Sequence, residues 1–320
     1  MGSDILLYFN KVWKASRKRG RRIAALIGVG VFSALVSIDY FGYPYGAVLT
    51  GRSFNRGRNG LWLRYTWYFG EKSPAEISDL ARRLRREQIR YAYFHVRSVD
   101  ADGNLKYRRQ ESAALTRSLR GADPDIKIIA WIYLDGQVDL ASPSVRRNVT
   151  KNAAWLVRTC GFDGIQLDFE PCHDGDRTFL GLLDEVRSAL PGAFLSVASP
   201  TWFPWPAGGY GWSERYFREV ELRCDQLAVM CYDTGFLLPR SYAWLVRAQA
   251  ERIPRVSNCQ VLLGLPTYEA GGRSHNPRAE NLRVALKAAR DSQGVDGIAL
   301  FADYTTDAQE WAWYERAWLK

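Results

Sequence analysis

Asp168 and Glu170 stand two residues apart in the run GFDGIQLDFEP, residues 161–171. Gln166 precedes them at the same spacing, and Ile165, Leu167 and Phe169 fill the alternate positions. A period of two sends successive side chains of a strand to opposite faces, so the spacing predicts a strand with one polar, acidic face and one apolar face. Two carboxyl groups held side by side cannot ionise independently, because each charge raises the pKa of its neighbour. Such a pair supplies a proton donor and a stabilising carboxylate at one place, the equipment of general acid catalysis. The competing reading is an Asp–Glu–Gln network that only braces the interior. That is an expensive brace, since a buried carboxylate left unpaired is strongly unfavourable.

The elements that must hold these groups recur along the chain. Apolar, strand-like runs fall at residues 61–69, 89–96, 126–134, 164–170, 193–198, 226–232, 260–266 and 297–301, with helix-like stretches between them. The first helix opens with Ser73, Pro74 and Glu76, the pattern of a capping box with proline in the first turn, and another opens with Ser142 before Pro143. Eight strands alternating with helices predict an α/β fold, a (β/α)8 TIM barrel over residues 61–320. A doubly wound open sheet is the alternative, but no glycine fingerprint follows the first strand. In a barrel, Ile165, Leu167 and Phe169 pack against helices and Gln166, Asp168 and Glu170 point into the lumen. Glu170 then sits at the C-terminal end of the strand, where barrel enzymes carry their chemistry.

The formal net charge is +10. Residues 1–22 hold seven Lys/Arg against Asp4, which is +6 of that total and leaves +4 for the remainder. The basic surplus thus belongs to a tail, and no nucleic-acid partner is expected of the folded part. Residues 23–38 carry no charge and are followed by Tyr40 and Phe41. This predicts a transmembrane anchor over 23–41 and a linker over 42–60. The basic tail would lie in the cytoplasm and the barrel across the membrane, periplasmic or extracellular. A cleaved signal peptide is the competing reading, although no small-x-small cleavage site follows Ile38. The five cysteines form no CxxC and the three histidines are scattered. Neither a metal site nor a cofactor is expected. Cys224 and Cys259 precede the sixth and seventh strands. In an exported domain they are placed to close a disulfide at the N-terminal face of the barrel, while Cys160 and Cys231 read as buried thiols.

The run DGIQLDFEP resembles the strand motif of glycoside hydrolase family 18, the chitinase and endo-N-acetylglucosaminidase family. DQLAVMCYD (residues 225–233) is similar to that family's sixth strand, LLGLPTY (262–268) to its seventh, and YAYF (91–94) to its second. The resemblance implies a substrate-assisted, retaining hydrolysis of a glycan that contains N-acetylhexosamine; the membrane is the second expected partner, from the apolar N-terminal segment. It makes Glu170 the acid, Asp168 its partner and Tyr232 the donor to the acetamido carbonyl. Gln166, Asp233, Phe301, Trp67, Tyr133 and Trp202 complete the expected substrate-contacting set. Three positions depart from the family pattern. Gln166 replaces an aspartate and is expected to hydrogen-bond Asp168. Phe301 stands where a tryptophan floors the site. The third strand reads IIAWIYLDG, with Trp131, Tyr133 and Asp135, in place of Ser-x-Gly-Gly. Trp202, Phe203, Trp205 and Trp212, after the fifth strand, read either as sugar platforms or as a loop packed on the rim. A non-catalytic glycan-binding barrel of the same fold remains the alternative; the acid at position 170 favours catalysis.

Overall fold

The computed structural model describes residues 21, 24–46, 53–206, 210–290 and 292–320. The basic tail expected over residues 1–22 lies, except for Arg21, outside the described residues. Helix α1 (Ala24–Gly42) is long and apolar enough by length and composition to cross a membrane, and almost none of it is buried against the rest of the chain. Then follow β1 (Asn59–Leu63), α2 (Tyr65–Tyr68), α3 (Pro74–Arg86), β2 (Ile89–Ser98), α4 (Ser112–Ala122) and β3 (Lys127–Asp135). The order continues with α5 (Pro143–Arg158), β4 (Gly164–Glu170), α6 (Arg177–Ala189), β5 (Phe194–Ser199), α7 (Glu214–Glu221) and β6 (Gln226–Met230). It ends with α8 (Pro239–Val256), β7 (Gln260–Pro266), α9 (Leu282–Ala289), β8 (Gly297–Phe301), α10 (Ala308–Tyr314) and a π-helical turn, Glu315–Leu319. The eight strands are parallel and close in chain order into a (β/α)8 barrel.

Local chemistry accounts for several boundaries. Ser73 and Glu76 form the expected reciprocal cap at the start of α3, and Asp307 and Glu310 form another at α10. Ser142 makes no cap bond; Pro143 alone begins α5. The first run does not continue as a strand to residue 69. It ends at Leu63, and residues 65–68 turn into a helix that buries Tyr68 and draws the Trp67 indole to Asp303 Oδ2 (2.9 Å). Much of the expected linker is fastened to the barrel: Tyr43 and Tyr45 pack on the core, and Phe54 N–H donates to the Arg290 carbonyl.

The N-terminal face is held by a repeated device. Asp163, Asp225 and Asp296 each precede a strand and each accept the backbone N–H of the second residue of the strand before, from Ile128 (2.8 Å), Leu195 (2.8 Å) and Val261 (3.0 Å). Arginines at 120, 187 and 58 pair with the same three carboxylates. Asp163 is thereby a structural member of its run, at the opposite end of β4 from Glu170. Apolar residues form two separate clusters. One lies between strands and helices; the other fills the lumen with Trp62, Tyr91, Tyr93, Ile129, Trp131, Ala228, Leu262 and Ala299. All five cysteines are free thiols, and Cys160 and Cys231 are buried in the outer cluster. Cys224 and Cys259 do lie together at this face: contact with Cys259, and then burial, pushes the Cys224 thiol up.

Gly164 starts β4 where the chain passes closest to β5, and a Cβ there would lie 1.9 Å from the Phe194 carbonyl oxygen. Gly164→Ala is therefore expected to lower stability by about 3 kcal/mol, read as a fall in the urea midpoint with little change in slope. An unchanged midpoint would show that the two strands do not approach so closely.

Candidate active site

Strand β4 presents Gln166, Asp168 and Glu170 to the lumen in ascending order. Gln166 and Asp168 are buried, at 0% and 2% exposure, while Glu170 opens to solvent at the mouth. The neighbouring β3 aligns Trp131 with Gln166, Tyr133 with Asp168 and Asp135 with Glu170. Trp131 leans up and donates its indole N–H to Asp168 Oδ2 (2.8 Å). The other oxygen, Oδ1, is buried without a donor from the rest of the protein. The Glu170 carboxyl contacts the Asp168 carboxyl, an arrangement that is favourable only with a proton between them.

Burial is the main cause that pushes both carboxyls up. For Asp168 the Glu170 charge and the shared hydrogen bond add to it, against the Trp131 bond. For Glu170 the Asp168 bond opposes the rise, and the Asp233 charge adds to it. Both carboxyls are thus disposed towards the protonated form, Asp168 from a more deeply buried position than Glu170. Asp168 is walled in, whereas Glu170 keeps one side in water.

Gln166 does not bond Asp168, contrary to the sequence expectation. Its Oε1 accepts from Trp62 Nε1 (2.7 Å) and its Nε2 donates to Ser196 Oγ (3.1 Å). Ser196 Oγ donates in turn to Gln226 Oε1 (2.9 Å), which also accepts from Tyr93 Oη (2.6 Å). This ladder satisfies every polar group it buries and fixes the floor beneath Asp168. A charged aspartate at 166 would have to sit within it.

Above the floor, aromatic rings converge from β1, β3, β6 and β8. Phe301 stacks on Tyr232 at 4.7 Å between centroids and meets Trp62 (5.7 Å) and Trp131 (6.0 Å) edge to face. Tyr232 has its phenol pushed up, first by burial and then by Asp168 and Glu170, so it remains an O–H donor beside the two acids. Gly264 makes room for it: a Cβ there would lie 3.1 Å from the Tyr232 ring and 3.0 Å from Trp62. Tyr133 is pushed up to about 12 by burial, Glu170, Asp168 and Asp135, and also stays protonated next to the pair. His95 stacks on Trp131 (4.0 Å), and burial, with Arg97 beside it, lowers it to about 4, so the ring is neutral near pH 7.

Asp233 is half-exposed at the mouth with φ +53. The loop behind it is gripped by Glu280, fully buried, which accepts from the Thr234 N–H (3.2 Å), the Phe236 N–H (3.0 Å) and the Thr234 hydroxyl. His275 Nδ1 lies 3.2 Å from Glu280 and 4.0 Å from Asp233. Trp67 stands on the rim by the end of β8, bound to Asp303 and outside the stacked cluster. Trp202 is a correction. Its ring is 7% exposed under the Arg252 guanidinium (4.1 Å), and its backbone is held by Gln249, so it packs against α8 and offers no free face to a sugar. Trp212 is likewise buried, whereas Trp205 is 84% exposed.

The sequence reading did not single out Trp62, His95, Ser196, Glu280 or His275. Alternation places the first three on the lumen side of β1, β2 and β5. Nothing local marks Glu280, whose partners are brought to it by the fold.

Asp168 carries a stability signature. Below its ordinary value of 3.8 both folded and unfolded chains hold the proton. As pH rises past that value the unfolded chain ionises first, so stability declines until the raised folded pKa is passed. Asp168→Asn keeps the shape and removes the decline. Its thermal midpoint is expected to exceed the parent's at neutral pH, with the gap closing on acidification below the ordinary carboxylate range. A variant less stable at every pH contradicts a buried, proton-holding Asp168.

Among solved structures, the spore cortex-lytic enzyme SleL of Bacillus cereus is similar, with TM-score 0.60 and 14% identity over 85% of this chain and 76% of that one. A class V chitinase of Pseudomonas fluorescens Pf-5 gives 0.58 at 15% identity, over 82% and 99%. The Group IV chitinase of Ostrinia furnacalis gives 0.57 at 15% identity, over 78% and 93%. At such identities the likeness speaks for the fold. No curated protein matches the sequence. The family model for Glycosyl hydrolases family 18 matches residues 64–318, and with that match over most of the chain the protein belongs to glycoside hydrolase family 18.

Proposed function

We propose that the barrel hydrolyses glycosidic bonds next to N-acetylhexosamine units by a substrate-assisted, retaining mechanism. The observation that carries this reading is the Asp168–Glu170 pair on β4, both carboxyls pushed up, with Tyr232 and Phe301 stacked beside it. Carboxyls at i and i+2 of one strand stand on the same side of a bound sugar. They do not flank it as an acid and an opposed nucleophile must. The second nucleophile is then the substrate's own acetamido oxygen. As the leaving oxygen approaches Glu170, the shared proton moves from Asp168 to Glu170 and on to that oxygen. The C1–O bond breaks while the acetamido oxygen bonds C1. The cationic ring that forms is stabilised by the Asp168 carboxylate, and the Tyr232 hydroxyl donates to the acetamido group. Water then attacks C1, giving its proton to Glu170 and restoring the acetamido group with retained configuration. Phe301 and Trp62 supply the apolar floor. The chitinase and cortex-lytic neighbours act on polymers, which supports a polymeric glycan as substrate.

Helix α1 is read as a single-pass anchor with its N-terminus in the cytoplasm, supported by its uncharged run and the basic residues before it.

Glu170→Gln is expected to lower turnover by two or more orders of magnitude, on the order expected for a lost general acid, while the folded barrel persists. The substrate panel should pair acetylated with de-acetylated glycans. Cleavage of both at similar rates, or full activity in Glu170→Gln, rejects the mechanism; binding without cleavage of any acetylated glycan points to the binding-only barrel.

For the anchor, full-length protein should stay with membranes after an alkaline wash. It should become protease-sensitive only once the outer barrier of the cell is opened. Recovery of the full chain in the soluble fraction without detergent rejects this topology.

A further inference from the structure

The last turn of α1 is bound directly to the barrel. Asp39, buried, accepts from the Arg240 guanidinium (2.7 Å) at the start of α8. Arg278, in the loop before α9, donates from Nε to the Tyr40 carbonyl (2.7 Å) and lies over the rings of Tyr40 (4.4 Å) and Phe41 (5.2 Å). Just past the helix, Tyr43 receives Arg240 (5.9 Å) and Lys287 (5.5 Å) over its ring, and the Tyr45 hydroxyl donates to the Arg278 carbonyl. Among the described residues, the end of the helix and the turn after it rest on the barrel itself.

Heights follow from this. A helix of 19 residues is about 28 Å long, close to the roughly 30 Å hydrocarbon core of a bilayer. Its last turn, with Tyr40 and Phe41, therefore falls at the headgroup level. Whatever is bonded to that turn lies at the same level, so Arg240 and Arg278 stand in the headgroup layer. Around them, Arg240, Trp244 and Arg247 share one outward stripe of α8, and Leu237 precedes that helix. Leu237 is 66% exposed and Trp244 53% exposed. Four cations gather at this turn: Arg240 pairs with Asp39, Arg278 lies over Tyr40 and Phe41, Lys287 lies over Tyr43, and Arg247 acts on the Tyr43 phenol as well. Glu269, Asp307 and Glu310 line a cleft of about 450 Å³ beyond Tyr45. Apolar and aromatic side chains set among arginines match an anionic lipid interface.

We infer that the rim of the barrel formed by Leu237, Arg240, Trp244, Arg247 and Arg278 docks on the anionic headgroups of the leaflet from which α1 emerges. This rests on reading α1 as an anchor. The starts of α8 and α9 belong to the C-terminal face of the barrel, so the docked rim adjoins the loop carrying Tyr232 and Asp233. The mouth that carries Glu170 and Tyr232 is thereby held near the membrane surface, and the substrate it takes is glycan within reach of that surface.

The test uses the full chain, with Cys259→Ser to clear the background, in vesicles of phosphatidylcholine with phosphatidylglycerol. An environment-sensitive fluorophore is placed at Leu237→Cys, Trp244→Cys or, across the barrel on α4, Ser118→Cys. Spin label on the lipid headgroups is expected to remove most of the emission at 237 and 244 and little at 118. Arg240→Ala with Arg278→Ala should abolish that difference while the protein still floats with the vesicles. Co-flotation without selective quenching at 237 and 244 overturns the docking and leaves the anchor intact. Quenching that survives the double substitution overturns the two arginines as the fastening. A chain that does not float overturns the anchor, and the docking with it.

Discussion

Two carboxyl groups, both pushed up by burial, stand two residues apart on one strand inside a barrel whose lumen is otherwise largely filled with aromatic and apolar side chains, and their surroundings are built to carry them. Asp168 is walled in, so its charge is suppressed and its hydrogen-bond capacity has to be met from within. Trp131 meets one oxygen, and the Glu170 carboxyl stands against the pair's other side. The ladder of Trp62, Gln166, Ser196, Gln226 and Tyr93 beneath leaves no unmatched amide to compete for the pair. A half-satisfied network there would be worse than an apolar core. The completeness of the ladder lets the strained part of the site be confined to Asp168 and Glu170.

The same division runs along the barrel axis. At the N-terminal face, Asp163, Asp225 and Asp296 are partners of arginines and strand N–H groups, and they hold the strands together. At the C-terminal face, Asp168 and Glu170 have no cation beside them among the described residues, and the grip on Asp233 comes indirectly through Glu280 and His275. Acids of one kind thus serve opposite ends: paired with positive charge they hold the strands, and set beside each other without a cation they are pushed towards the protonated form.

The replacement of small residues in the third strand by Trp131 and Tyr133 belongs to this arrangement. Trp131 supplies the bond to Asp168 and braces Phe301 edge to face, which compensates for a phenyl ring smaller than an indole. Tyr133 stands opposite Asp168 on the neighbouring strand, and burial with the nearby acids keeps its phenol protonated.

Alternation along β4 is enough to say which side chains enter the lumen, because a strand's period is fixed by its backbone. β4, β7 and β8 begin and end where their apolar runs do, and the cap of α3 is written in Ser73 and Glu76. Family membership is legible for the same reason: the motif sits on one strand. What the sequence does not contain is the partner across the lumen. Gln166 and Trp62 are 104 residues apart, and their bond depends on the stagger of strands that are not neighbours. Trp202 reads as a sugar platform because aromatic composition cannot say which way a loop ring turns; Arg252 and Gln249 of α8 decide that. Residues 65–68 look like strand by composition and turn helical because Asp303 and the core capture Trp67 and Tyr68. A linker rich in Gly, Arg and Asn reads as free until Arg240 and Lys287 are seen over Tyr43 and the Arg278 carbonyl is seen to accept from Tyr45. Periodicity and capping are properties of a few consecutive residues, whereas partner choice is set by distances that exist only after the barrel has closed.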